Sequence, residues 1–185
     1  MNSLTESAAV LDLLPQEERQ VLRQRSVAKS YPKGGILFHA EDRADFVWLV
    51  KTGRIHLTHY SSSGRIFTNC VAVPGEIFCC LSSLDRRAYP AEAVAATDST
   101  VVKIPLDLFA GWMRKYPAFS HKTICFFCDR LRAAEQKGCQ LQEPVRDRIL
   151  GVLCTLVKKF GSIIPFTCRE VAEMGPDLPD EREIE

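Results

Sequence analysis

Apolar residues recur along this chain in two rhythms, and the switch between them divides it. Val10, Leu13, Leu14, Val21 and Leu22 surround Pro15 and the pair Glu17-Glu18, a spacing that predicts a short helix beginning near Pro15. From Ala28 to Pro105 the runs are short and rich in β-branched and aromatic residues: Gly35 to His39, Phe46 to Val50, Arg54 to Tyr60, Arg65 to Val73, Ala91 to Ala96 and Thr100 to Ile104. Turn signals separate them, among them Lys33-Gly34-Gly35, Thr52-Gly53 and Ser61-Ser62-Ser63-Gly64. Strands of this length and spacing predict a compact β barrel or roll.

After Pro105 the period becomes helical. Leu106 to Tyr116 forms one predicted helix, and Pro117 opens a longer one in which Ile124, Phe127, Leu131, Ala134, Gly138 and Leu141 follow at intervals of 3, 4, 3, 4 and 3. That is the seam of a coiled coil, and a seam needs a partner. The expected partner is a second copy of the chain; the alternative is the chain's own β domain. Gly138 weakens the seam locally, and Glu143-Pro144 ends the helix. Val145 to Phe160 is a further helix, stopped by Gly161. Thr167 then stands at an N-cap with Glu170 three residues on, a capping box that starts a short helix reaching Met174.

Composition supports a folded chain without naming a partner. Of the 185 residues, 46% are apolar, and 24 basic against 23 acidic residues leave a formal charge of +1. Residues 175–185 hold five acids, one base and two prolines, a poor composition for a helix that must approach phosphates. Without them the balance is 23 basic to 18 acidic residues, a mild excess that permits DNA binding without demanding it. Eight cysteines, at 70, 79, 80, 125, 128, 139, 154 and 168, lie mostly within apolar runs. Met1 to Ala9 is polar and does not read as a signal peptide, so a reducing cytoplasm and free thiols are expected. No apolar run reaches membrane-spanning length. There is no glycine-rich phosphate loop beside a lysine and no nucleophile-elbow context, so no enzyme is expected.

The order of motifs is similar to that of the Crp/Fnr family of bacterial regulators. The resemblance rests on Leu14-Pro15-Gln16-Glu17-Glu18-Arg19, Tyr31-Pro32-Lys33-Gly34, Asp45 to Gly53, Gly75-Glu76-Ile77-Phe78, the seam helix, Val145-Arg146-Asp147-Arg148-Ile149-Leu150 and Phe166 to Ala172. It implies an α+β fold: an N-terminal β-roll (a double-stranded β-helix like that of cyclic-nucleotide-binding domains) with flanking helices, a long dimerisation helix and a partial winged helix-turn-helix. The domains would be residues 1–116 for effector sensing, 117–143 for dimerisation and 144–185 for the truncated helix-turn-helix. In that family the two-fold of the protein matches a palindromic site.

The resemblance also implies an effector pocket around Gly75, Glu76, Ile77, Phe78, Cys79, Cys80, Tyr89, Pro90 and Ala91. Cyclic-nucleotide-binding members place an Arg-Ser or Arg-Thr pair where this chain has Tyr89-Pro90, so the cation that would hold a cyclic phosphate is missing. Arg86 and Arg87 lie ahead of that position and read as solvated surface. Hydroxyl groups expected to meet a purine from the seam helix are replaced by Ala133 and Ala134. These departures argue against cAMP and leave Glu76 as a structural acid at a turn. Haem remains as an alternative, with His56, His59 and His121 as candidate ligands; His56 and His59 lie on opposite faces of one strand. No cysteine precedes Cys70, which argues against a cluster of the family's iron–sulfur type. Cys125 and Cys128 have metal-like spacing without a second pair, so no metal site is expected. The redox candidates are Cys79 and Cys80 at the pocket turn, and Cys128 and Cys139 beside the seam.

The expected function is therefore a homodimeric, effector-responsive regulator in the cytoplasm, responding to a small molecule or a redox signal and contacting no membrane. Its chain lacks the DNA recognition helix; sensing and dimerisation are retained and Thr167 and Arg169 remain of the DNA contacts. The alternatives are a fully functional DNA-binding regulator with an atypical end, and a haem or redox-sensing module acting through a partner subunit.

Overall fold

The computed structural model describes residues 10–60, 66–140 and 144–174, with the side chains of residues 80, 83 and 136–140 outside that description. A helical turn at residues 10–12 and helix α1 (Gln16–Arg25) lead into eight strands: β1 (Val27–Tyr31), β2 (Ile36–Phe38), β3 (Phe46–Thr52), β4 (Ile55–Tyr60), β5 (Ile66–Ala72), β6 (Ile77–Phe78), β7 (Glu92–Ala95) and β8 (Ser99–Pro105). A short helix α2 (Cys80–Leu84) separates β6 from β7. Helices α3 (Leu106–Lys115), α4 (Pro117–Gln140), α5 (Val145–Phe160) and α6 (Cys168–Met174) follow. The strands form two antiparallel four-stranded sheets, ordered β1-β8-β3-β6 and β2-β7-β4-β5. The architecture is thus a roll of two sheets with helices beside it, and not a closed barrel.

Strand alternation decides what goes where. In β3, Trp48 and Val50 point between the sheets while Val47 and Leu49 point to the helices, so both faces of the strand are covered. The inter-sheet core gathers Phe38, Trp48, Val50, Ile55, Leu57, Phe78 and Tyr89. A second core lies behind the first sheet, where Val47, Val102 and Ile104 meet Phe109 and Trp112 of α3 and Phe119 of α4. Gly53 makes the β3–β4 turn at φ +81°, and a Cβ there would lie 2.1 Å from Ser99 Oγ, so only glycine fits.

All six predicted strands are present to within two residues at each end, as are the helices at 106–115, 117–140 and 145–160. The sequence pattern overlooks β1, β6 and α2. In β1 only Tyr31 is buried, so no alternation shows; the strand is held at the sheet edge by its pairing with β8, including a Ser30–Thr100 hydroxyl contact at 3.0 Å. β6 has two residues, too few for any period.

Helix α1 is tied down by charge as much as by packing. Glu18 Oε1 accepts from Lys115 Nζ and from the Tyr116 hydroxyl, each at 2.8 Å, and Oε2 accepts from Trp112 Nε1 at 2.9 Å. These bonds, Lys115 foremost, hold the Glu18 carboxyl down to about 2. A carboxylate whose pKa is depressed in the fold stabilises it above the unfolded value, and that stabilisation is lost as pH falls through the folded one. Stability should therefore drop more steeply for the native chain than for Glu18→Gln between about pH 5 and pH 2; urea unfolding at fixed pH steps measures the difference.

Candidate effector site and its cover

The residues expected to line the pocket divide between several environments. Gly75 forms the turn before β6 at φ +87°, its N–H donating to Val50 O while Val50 N–H donates to Glu76 O. Ile77 faces the helices and belongs to the second core, whereas Phe78, Tyr89 and Ala91 lie between the sheets. Pro90 is exposed. Cys79 is half-buried, precedes α2 in a left-handed conformation at φ +60° and packs on the inter-sheet core. Cys80 opens α2, with its side chain outside the described residues.

Rings fill the space between the sheets beside Tyr89. Its ring stacks on Phe38 with centroids 3.9 Å apart, and Trp48 lies 5.4 Å from Phe38 and 6.1 Å from Phe78. The Tyr89 hydroxyl accepts from Trp48 Nε1 at 3.0 Å and donates to Phe46 O at 2.9 Å. Burial pushes its pKa up to about 12, so it is a neutral hydrogen-bonding group. Arg86 and Arg87 are exposed, and Arg87 pairs with Asp85 at 3.5 Å.

Glu76 is engaged from two sides. Across its own turn Oε2 accepts Val73 N–H at 3.1 Å; from outside, Lys159 Nζ of α5 lies 2.8 Å from Oε1 and 2.9 Å from Oε2, while also donating to Val71 O at 2.8 Å. The acid therefore joins the β-roll to the C-terminal helices.

A second joint lies farther along the same sheet. Arg54, just before β4, donates to Pro165 O, lies over the Phe166 ring at 4.5 Å and pairs with Glu170 at 3.7 Å. His56 stacks on Phe166 with centroids 6.2 Å apart and is buried. Glu170 accepts Thr167 N–H at 2.8 Å and the Thr167 hydroxyl at 3.0 Å, and Thr167 Oγ1 accepts Glu170 N–H at 3.2 Å. The capping box is present, and its acid also reaches the sheet. Although burial opposes it, hydrogen bonds from Thr167 and the charges of Arg54 and His56 hold the Glu170 pKa below its ordinary value. Arg169 is exposed and pairs within its helix with Glu173 at 3.1 Å.

Of the other histidines, His59 is half-buried on β4, and His121 lies 3.9 Å from Cys125 Sγ one turn along α4. No group of three or more metal-binding side chains occurs among the described residues. Cys70, Cys125, Cys128, Cys154 and Cys168 are free thiols; Cys128 is exposed, and the Cys139 side chain lies outside the described residues. Along the seam Ile124 is 52% exposed and Leu131 61%, and Ala134 is exposed as well, whereas Phe127 turns back to the second core. The surroundings of Gly138 and the whole of Leu141 fall outside the described residues. Sequence reasoning missed Arg54, Lys159 and Phe166. Nothing local marks them, because each acts through a partner 83 to 116 residues away, apart from the position of Phe166 just before the cap.

Residues 28–116 match the family described as the cyclic nucleotide-binding domain. The cyclic AMP receptor protein of Thermus thermophilus is 27% identical over 147 residues, covering 78% of this chain and 68% of the relative. A CRP-like cAMP-activated global transcriptional regulator of Mycobacterium tuberculosis is 22% identical over 133 residues; the match takes in 71% of this chain but only 59% of that one. Among solved structures, the c-di-GMP responsive global regulator CLP of Xanthomonas campestris superposes with a TM-score of 0.72 at 16% identity, over 86% of this chain and 84% of that one. Among the described residues no helix is long and apolar enough to cross a membrane.

Tyr89→Phe removes both bonds of the buried hydroxyl and leaves the Trp48 indole N–H without its acceptor. The expected cost is about 1–3 kcal/mol in denaturant-unfolding free energy, with the fold unchanged by circular dichroism.

Proposed function

We propose that this chain, whose residues 28–116 match the cyclic nucleotide-binding domain, is a regulator of the Crp/Fnr type in which residues 1–185 work as an effector-responsive sensor that pairs with a second copy through α4 and does not by itself read a DNA sequence. The observation that carries the pairing is the exposure of Ile124 and Leu131, two turns apart on one face of α4, at 52% and 61%. Full burial of apolar side chains of this size is worth about 1.5–3 kcal/mol each, and covering the exposed half of each recovers about half of that, which favours association through that face.

One feature supports the absence of sequence reading: the acid-rich, proline-containing composition of residues 175–185 is unsuited to phosphate contact. Arg169 supplies at most a phosphate contact, which positions without specifying.

For the effector, the neutral, hydrogen-bonded Tyr89 and the engagement of Glu76 by Lys159 favour a ligand other than cAMP. A small organic molecule, a redox signal at Cys79 and Cys80, or haem are the candidates. A second reading, a complete DNA-binding regulator, draws on the formed helix α6 and its cap.

Mass in solution under reducing conditions should give a dimer. Leu131→Glu should weaken it at least about 100-fold, because a charge replaces an apolar knob in the seam; an unchanged dimer would remove α4 from the interface. The same anaerobic sample should be scanned for a Soret band, which would select haem. Gel shift with random and palindromic duplexes at two salt concentrations should show weak, sequence-indifferent and strongly salt-dependent binding. Tight selective binding would establish the second reading.

A further inference from the structure

We propose that His56 is a proton-gated latch between the sensor sheet and the α5–α6 pair, and that protonation at its Nε2 undocks the two helices. The residue lies at the centre of their contact. On β4 the neighbours Ile55 and Leu57 point into the inter-sheet core, so His56 faces outward, where a roll standing alone would leave it in water. Instead it is 6% exposed, because Phe166 stacks over it. Its strand partners are apolar on both sides, Val71 on β5 and Val94 on β7. Nε2 has no hydrogen-bond partner among the described residues.

Among the described residues, the charged groups packed around this contact are already committed. Arg54 is shared between Phe166, Pro165 O and Glu170. Glu170 serves Arg54 and the Thr167 cap, while Glu173 on the same helix pairs with Arg169. Lys159 on α5 holds Glu76 and Val71 O, and Glu92 on β7 holds His39 and the Tyr60 hydroxyl. A proton on His56 would therefore add a cation beside the Arg54 guanidinium with no uncommitted carboxylate facing it among the described residues. Burial is the largest influence on the group and lowers its pKa; Glu170 pulls the other way and Arg54 adds to the lowering.

The sign follows from linkage. The docked state prefers neutral His56, so docking is fully favoured above the ordinary histidine pKa and weakens as pH falls below it, levelling off beneath the depressed docked value. Beneath Phe166 and 6% exposed, the His56 ring is closed to a haem in the docked state, so the device does not draw on the haem alternative.

The test is amide hydrogen exchange on the full chain between pH 7.5 and 5.5, corrected for intrinsic rates, with Val47 to Val50 of β3 as the internal reference. Protection in residues 168–174 should fall by up to about tenfold per pH unit through the transition while β3 keeps its own. His56→Phe keeps a ring on Phe166 and should abolish the dependence; His56→Gln, which cannot titrate, serves as a second variant should the first not fold. Constant protection in the native chain overturns the latch. So does protection that rises on acidification, which would mean that protonated His56 pairs with Glu170. A loss shared equally by β3 also overturns it, as does an identical dependence in either folded variant.

Discussion

Strand β3 is buried on both of its faces, and the rest of the molecule is arranged to satisfy that demand. Val47 and Leu49 require something apolar behind the first sheet, which α3 and the start of α4 supply through Phe109, Trp112 and Phe119. Trp48 and Val50 require a second sheet in front. A strand covered twice loses water from every backbone group it carries, so its ladder with β8 must be nearly complete, and it pairs from Phe46 to Thr52. The helices are thus part of the core of the sensing domain, and a change on one side of β3 is felt on the other.

The second sheet is covered on its outer face by the C-terminal helices, and the character of that contact differs from the core. Here a few aromatic and charged groups do the joining: Lys159 on Glu76, Arg54 on Phe166 and Glu170, and the ring of His56 beneath Phe166. Such contacts are specific in geometry but modest in net free energy, since each charge gives up water to reach its partner. A joint of this kind can be opened without unfolding the roll. That suits the proposed role, in which an effector shifts the balance between arrangements of the same parts.

What the sequence made legible follows from the range of the interactions. Strands β2 to β5, β7 and β8, helices α3 to α5, the Gly161 stop and the Thr167–Glu170 cap are governed by neighbours within a few residues, and pattern reveals them. β1 is invisible because four of its five positions are exposed and its order comes from β8, some seventy residues away. The site was less legible still. Gly75 and Glu76 could be placed at a turn, but Ile77 and Phe78 go to different cores, as adjacent residues of a strand must when both faces are covered. Lys159 looked like one more basic residue in the last turn of a helix, and only the tertiary structure gives it Glu76.

Glu170 holds together two things that are usually separate. The same carboxylate completes the first turn of α6 through Thr167 and reaches across to Arg54. A helix of seven residues has little independent stability, so the group that starts it has a large say in whether it exists at all. Pulling the helix from the sheet takes away part of the field that keeps this carboxylate ionised and in place; fraying the helix loosens the carboxylate from Arg54. Order in α6 and its position on the roll are consequently one cooperative quantity, and the helix is less a rigid body resting on the sheet than a segment whose folding depends on contact with it.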